Sequence, residues 1–194
     1  MRRSAFEAPA LTLHLLAIAL VLGPPVFFGA VVAPQAFHVL PTRDMAGALN
    51  APILTRLCWM AEGGFAVLLL TSWFLTRQGA GRLVRLLMTR SAFLGLMATV
   101  VIEKLLVARI ERIRQEAPGL IDTLPAGDPS RLLLGQLHRL STLFFAVEIA
   151  AAVLVLAATV RLLTERPRPP ASGPSALPGA ASPPVPKVLD LSEL

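Results

Sequence analysis

The chain has 194 residues, of which 55% are hydrophobic and 15% are charged, and its mean hydropathy is +0.67. About a quarter of the residues in a soluble domain are charged, so long apolar blocks of this composition exclude an ordinary soluble protein and indicate a membrane protein. The net charge is +6, but the arginines flank apolar blocks, as membrane orientation requires, which argues against nucleic-acid binding. Cys58 is the only cysteine, so no intrachain disulfide can form.

A first membrane span is predicted over residues 11–33. A cleaved signal peptide also begins with basic residues and an apolar run, but that run is usually about 7–15 residues long. Here the run continues through Gly23-Pro24-Pro25 to Val32, which favours a retained helix. Because the two prolines cannot donate backbone hydrogen bonds, we expect a kink at this point.

A loop is predicted over residues 35–55, because Pro41, Asn50 and Pro52 interrupt the apolar pattern there. The second span follows at 56–76. Trp59 and Trp73 stand near its two ends, and tryptophan prefers the boundary between membrane and water.

The third span is predicted over residues 86–108, and its helical periodicity continues with alternating charges to about Glu116. Asp128 or Ser130 is expected to cap the next helix. The fourth span is predicted over residues 138–163.

Residues 1–166 are therefore interpreted as an all-α, four-helix transmembrane bundle, and residues 167–194, rich in proline and alanine, as a disordered tail. Arg2 and Arg3, the arginines at 77–90 and those after Leu163 lie on one side in this topology. The excess of basic residues on the cytoplasmic side of membrane proteins then places both termini in the cytoplasm.

The fourth span carries a polar stripe. His138, Ser141, Thr142 and Phe145 recur at helical spacing and share one face, and Glu148 lies at the edge of that stripe. Lipid cannot solvate such a stripe, so we expect it to face the other helices.

Other polar residues are expected in the same, outer half of the bundle. Glu62 should lie about 9 Å from the outer boundary, and Glu148 about 15 Å below His138. Glu103 and Lys104 fall near the outer end of the third span. Unpaired charges in mid-membrane cost about 2.5–3.5 kcal/mol each on insertion scales, so these groups should be paired or hydrated.

This pattern predicts a ligand site for a small polar or cationic solute, with five residues as its lining. They are Glu62, Glu103, His138, Ser141 and Glu148. The alternative is structural: Glu103 and Lys104 extend toward the interface from a helix end, and His138 simply lies at the boundary.

Two cofactor hypotheses remain open from the residue types. His38, His138, Glu62 and Glu103 are suitable metal ligands, although no tight spacing motif joins them. A haem-linked redox enzyme would use two axial histidines from His14, His38 and His138, but His14 and His138 are predicted on opposite sides of the membrane. The sequence has none of the common phosphate-loop, zinc-protease or nucleophile-elbow motifs, which argues against an enzyme.

Three stretches carry a family resemblance: His14-Leu15-Leu16; Phe28-Gly29 with Ala33-Pro34 and Phe37; and the stretch from Leu137 to Ser141, sequence LHRLS. Over about residues 10–163 the chain resembles the bacterial "domain of unknown function 4149" group of transmembrane protein 205-like proteins. Pro24-Pro25 stands where that family usually has glycine pairs.

The resemblance implies a four-helix membrane protein without an assigned reaction, and a eukaryotic relative linked to platinum-drug tolerance suggests metal or drug handling. His14 and His138 are the polar positions by which the family is recognised. We therefore expect a protein that contacts the lipid bilayer and binds or moves a small solute, or that forms a homo-oligomer or serves as a subunit of a membrane complex.

Overall fold

The computed structural model describes residues 6–164, except 78, 79, 118, 120 and 126. The predicted tail and the N-terminal arginines Arg2 and Arg3 lie outside the described residues. Four long helices, which we call α1 to α4, dominate the described part: Glu7–Val39, Arg43–Thr76, Arg82–Glu116 and Pro129–Thr164. Each is long and apolar enough to cross a membrane, and no strand occurs among the described residues. The predicted all-α, four-span fold is confirmed.

The helices are longer than a membrane requires. They contain 33 to 36 residues, which corresponds to about 50–54 Å at 1.5 Å per residue, whereas the hydrocarbon core of a bilayer is about 30 Å thick. We call the end of the bundle near residues 39–43 and 116–129 the distal end, and the other end, near residues 7, 76–82 and 164, the proximal end.

The prediction of a loop over residues 35–55 is wrong for most of that range. Helix α1 continues to Val39, and α2 begins at Arg43, where the Thr42 hydroxyl accepts a hydrogen bond from the Met45 N–H at 3.2 Å. Pro52 lies inside α2 with its ring exposed. Ala46, Gly47 and Asn50 are buried in this segment, so packing against the bundle overrides the local proline signal.

Helix α1 passes through Pro24 and Pro25 without ending. Just beyond them, Phe28–Val32 forms a π-helical turn, in which the Ala33 N–H bonds to the Phe28 carbonyl. The prolines lack N–H donors, so the carbonyls one turn before them, at Leu20 and Val21, have no helical partner, and the hydrogen-bond register changes one turn later. A second π-helical segment, Val101–Val107, lies in α3, which ends at Glu116 as predicted.

Asp128 caps α4; it is one of the two residues, Asp128 and Ser130, that were predicted as the cap. Its carboxylate accepts hydrogen bonds from the N–H groups of Ser130 at 2.8 Å and Arg131 at 3.4 Å. The Arg131 guanidinium in turn donates to the Leu124 carbonyl at 2.7 Å, which ties the preceding loop to the helix.

The helices are arranged in a ring in which each contacts the next and α4 returns to α1, with α1 and α4 in the least extensive contact. Two glycines allow close helix contacts. A Cβ atom on Gly64 would overlap Val21 of α1, and one on Gly95 would overlap the Phe65 ring of α2. Small residues at such positions are typical of membrane helix packing.

Candidate functional site

The five predicted site residues do not form a single pocket. They divide into a buried group around Glu148, a half-buried group at the α2–α3 interface with Glu62 and Glu103, and a distal cavity with His138 and Ser141. Each place has a different chemistry.

Glu148 points into the bundle and is only 1% exposed. Its carboxyl group lies beside the Thr99 hydroxyl of α3 and near the buried thiol of Cys58. The Thr99 hydroxyl donates to the Gly95 carbonyl of its own helix at 2.9 Å. The predicted inward orientation of Glu148 is therefore present, but its neighbours are core residues, and it lines neither of the cavities described below.

Glu62 and Glu103 face each other at the α2–α3 interface, and Glu62 Oε1 is buried without a hydrogen-bond partner among the described residues. Glu103 accepts a hydrogen bond from the Trp59 indole at 2.7 Å and forms an ion pair with Lys104, whose side chain is 59% exposed. This is the arrangement expected of residues that reach toward an interface from the bundle surface, and it supports the structural alternative for Glu103 and Lys104.

His14 joins three helices near the proximal end, a contact that the sequence did not predict. Its ring nitrogens lie 2.7 Å from the Thr71 hydroxyl of α2 and 2.9 Å from the Thr159 hydroxyl of α4, and the residue is fully buried. Both nitrogens are thus engaged, which leaves neither free as an axial ligand for haem.

His138 and Ser141 line a cavity of about 380 Å³ at the distal end, between all four helices. Both the Ser141 and Thr142 hydroxyls donate to the His138 carbonyl, at 2.8 and 2.9 Å. The floor is apolar and includes Phe28, Ile102 and Phe145. The other lining residues are Gly29, Ala33, Pro34, Phe37, Gly47, Asn50, Ala51, Leu54, Val107, Ile110, Glu111, Arg114 and Thr142.

Asn50 and Arg114 give this cavity its polar wall, and sequence reasoning missed both as site residues. Asn50 is 9% exposed, and neither its amide oxygen nor its amide nitrogen has a hydrogen-bond partner among the described residues. The Nε atom of Arg114 is also buried without a partner there. Gly47, one turn before Asn50, packs directly against the Arg114 guanidinium. The space is so tight that a Cβ atom on Gly47 would overlap the guanidinium. Buried polar groups left unpaired cost about 1–3 kcal/mol each, so these atoms favour a ligand or water.

A second cavity, of about 530 Å³, lies beside the first between the distal parts of α2 and α3. Ala51, Val107, Glu111 and Arg114 line both cavities and therefore lie where the two cavities adjoin. Ala48 and Thr55 line the second cavity only.

The predicted metal ligands are not brought together. Among the residues that the structure describes, no three histidine, cysteine, aspartate or glutamate side chains are close enough to hold one ion. His38 is exposed on the last turn of α1.

The fold and composition define a multi-pass helical membrane protein. A family model described as a domain of unknown function (DUF4149) matches residues 16–116, and the chain belongs to this family. The match covers most of α1 and all of α2 and α3, whereas the resemblance was expected over residues 10–163; α4 and His14 lie outside it. Neither the curated proteins nor the solved structures gave a match.

The stretches that carried the family resemblance meet at the distal cavity. Phe28-Gly29, Ala33-Pro34 and Phe37 of α1 line it together with His138 and Ser141 of α4. Only the His14 stretch lies elsewhere.

Proposed function

We propose that this protein is a non-enzymatic protein of a bacterial cytoplasmic membrane that binds a small ligand in the distal cavity, with both termini in the cytoplasm. Of the five residues predicted for the site, His138 and Ser141 line this cavity, and Glu62, Glu103 and Glu148 are not among its lining residues. The observation that carries the proposal is the pair of unpartnered, buried amide atoms of Asn50 in the cavity wall.

The positions of charged residues on α2 to α4 support a placement of the bundle in which the cavity lies at the edge of the membrane. Arg56, Lys104 and Arg139 form a distal level, and Arg77, Arg82 and Arg161 form a proximal level. The two levels are about 32–33 Å apart along each helix, close to the thickness of the hydrocarbon core. Arg90, between them on α3, is exposed and can extend toward the proximal level.

Beyond the distal level, residues 43–55 of α2 and 105–116 of α3 extend about 18–20 Å further. The cavity floor extends from Ile102, about 3 Å to the membrane side of Lys104, to Phe145, about 9 Å to the membrane side of Arg139. Its polar wall at Asn50 and Arg114 lies beyond the distal level, so the cavity has an apolar base inside the membrane boundary and polar groups toward the outer aqueous phase.

The wall defines the chemistry of the ligand. Asn50 offers one acceptor and one pair of donor hydrogens, and Arg114 Nε offers a further donor. A head group that both accepts and donates hydrogen bonds, such as an amide or a hydroxyl, satisfies these atoms. The aromatic floor suits a short apolar body, and a volume near 380 Å³ corresponds to the space of about a dozen waters.

Octanamide, with an amide head and eight carbons, has these properties and serves as the probe. In lipid nanodiscs it should raise the unfolding temperature of the full chain, because a ligand that binds only the folded state stabilises it. Asn50→Leu, which keeps the volume but removes both polar atoms, should abolish this shift. Thr55→Val, in the second cavity, is the control and should preserve it. An equal shift in wild type and Asn50→Leu would refute the proposed site.

A further inference from the structure

We infer that the ligand reaches the distal cavity from the lipid side, through a gap between the distal third of α1 and α4, so that its natural ligand is a membrane-partitioning amphiphile. This inference rests on the proposed function, because it specifies the route and ligand class of the same cavity.

The gap arises from the course of α1. Its first part, Glu7–Phe27, packs against both α2 and α4. After the π-helical turn the segment Ala33–Val39 packs against α2, and its contact with α4 is at most marginal in the described part of the chain. The change of partner follows the two prolines and the π turn, where the helix changes its hydrogen-bond register.

The residues beside the gap are exposed and also line the cavity. On α1 these are Pro34 and Phe37, the latter 46% exposed, and on α4 they are His138 and Thr142. The gap narrows on its proximal side, at Gly29, where a Cβ atom would lie 3.3 Å from the Phe145 ring. The opening is therefore at the level of the membrane boundary, where an amphiphile places its head group.

The competing route runs from the aqueous phase through the second cavity. A molecule on that route must pass the residues shared by the two cavities, Arg114, Glu111, Ala51 and Val107. The Arg114 guanidinium packs against the buried Gly47 at this junction. Distal to the π-helical turn, by contrast, the described part of α1 makes at most marginal contact with α4.

Association kinetics distinguish the two routes. The reporter protein is the full chain in lipid nanodiscs, in which Trp59→Phe and Trp73→Phe remove the native tryptophans and Phe145→Trp places a single one on the cavity floor. It is mixed with 8-bromooctanamide in a stopped-flow instrument. Quenching of the tryptophan fluorescence by the bromine atom then reports the rate of association. Thr142→Phe partly fills the gap from α4, and Pro34→Phe does so from α1. Ala48→Phe, the matched control, fills the second cavity by the same side chain.

We expect each gap variant to slow association tenfold or more, and Ala48→Phe to change it less than twofold. Lengthening the apolar body from propanamide to octanamide should strengthen competition against the brominated probe. Slowing by Ala48→Phe alone, or by none of the three variants, would overturn the lipid-side route while leaving the cavity in place. Absence of equilibrium quenching in the reporter protein itself, with a folded state verified by its unfolding transition, would instead reject the proposed function.

Discussion

The carboxyl group of Glu148 on α4 lies against the Thr99 hydroxyl on α3, in the interior of the bundle. This contact makes Glu148 a link between two helices that pack extensively against each other. The same residue was the deepest member of the ligand site expected from the sequence.

Substitution of Glu148 should therefore affect folding and not ligand binding. Glu148→Gln keeps the shape and a hydrogen-bonding group, so we expect a change in unfolding free energy below about 1 kcal/mol. Glu148→Ala leaves a buried void and should cost about 2 kcal/mol or more. Unfolding of the variants in nanodiscs measures both, and equal stability of Glu148→Ala and wild type would contradict the core role.

His14 should be coupled energetically to Thr159. A neutral imidazole has one N–H, and each threonine has one hydroxyl hydrogen, so one threonine donates to the ring while the other accepts. In a double-mutant cycle with His14→Leu and Thr159→Val we expect a coupling of about 1 kcal/mol, as for other hydrogen bonds between membrane helices. Thr12→Val, whose hydroxyl bonds only to the Ala8 carbonyl of its own helix in the described structure, is the control and should show no coupling to His14.

Gly47→Ala should weaken binding of octanamide by displacing Arg114. The new methyl group would occupy the position of the guanidinium, which can swing away on its flexible side chain, so the fold should persist. Alanine also has the higher helix propensity, so stability should not fall. We expect a several-fold loss of affinity, and no further loss when Gly47→Ala is added to Arg114→Ala. Additive losses in the double variant would show that the two residues act separately.

The membrane position can be tested by cysteine labelling in intact cells. In a Cys58→Ala background, Ala48→Cys lies beyond the distal level and should react with a membrane-impermeant maleimide added outside. Leu70→Cys is 69% exposed in the structure but lies between the two charged levels, so lipid should protect it. Labelling of Ala48→Cys only after the cells are opened would reverse the proposed orientation.

Sequence periodicity was sufficient for the four helices, because apolar runs of membrane length are a strong signal. It failed at residues 43–55, where Pro52 and Asn50 looked like loop residues although packing of Ala46 and Gly47 keeps the helix intact. The Asp128 cap was predictable because it depends on neighbouring residues alone.

The candidate site was less predictable. Hydropathy identified Glu62 and Glu148 as unusual in lipid, but their level in the bundle did not indicate which residues line a cavity. Asn50 lies in a segment whose helical form was not expected, so the face it presents could not be assigned. The contact of Gly47 with Arg114 joins positions 67 residues apart and leaves no local pattern.

The most direct test of a ligand site at the distal cavity compares two variants by equilibrium dialysis of labelled octanamide against the full chain in nanodiscs. Asn50→Leu removes two hydrogen bonds to the ligand. Because about 1.4 kcal/mol of binding free energy corresponds to a tenfold change in affinity, we expect this substitution to weaken affinity by tenfold or more. Glu148→Gln should remain within twofold of wild type. The opposite result, with affinity lost in Glu148→Gln and kept in Asn50→Leu, would contradict the distal cavity and return the site to the buried acids.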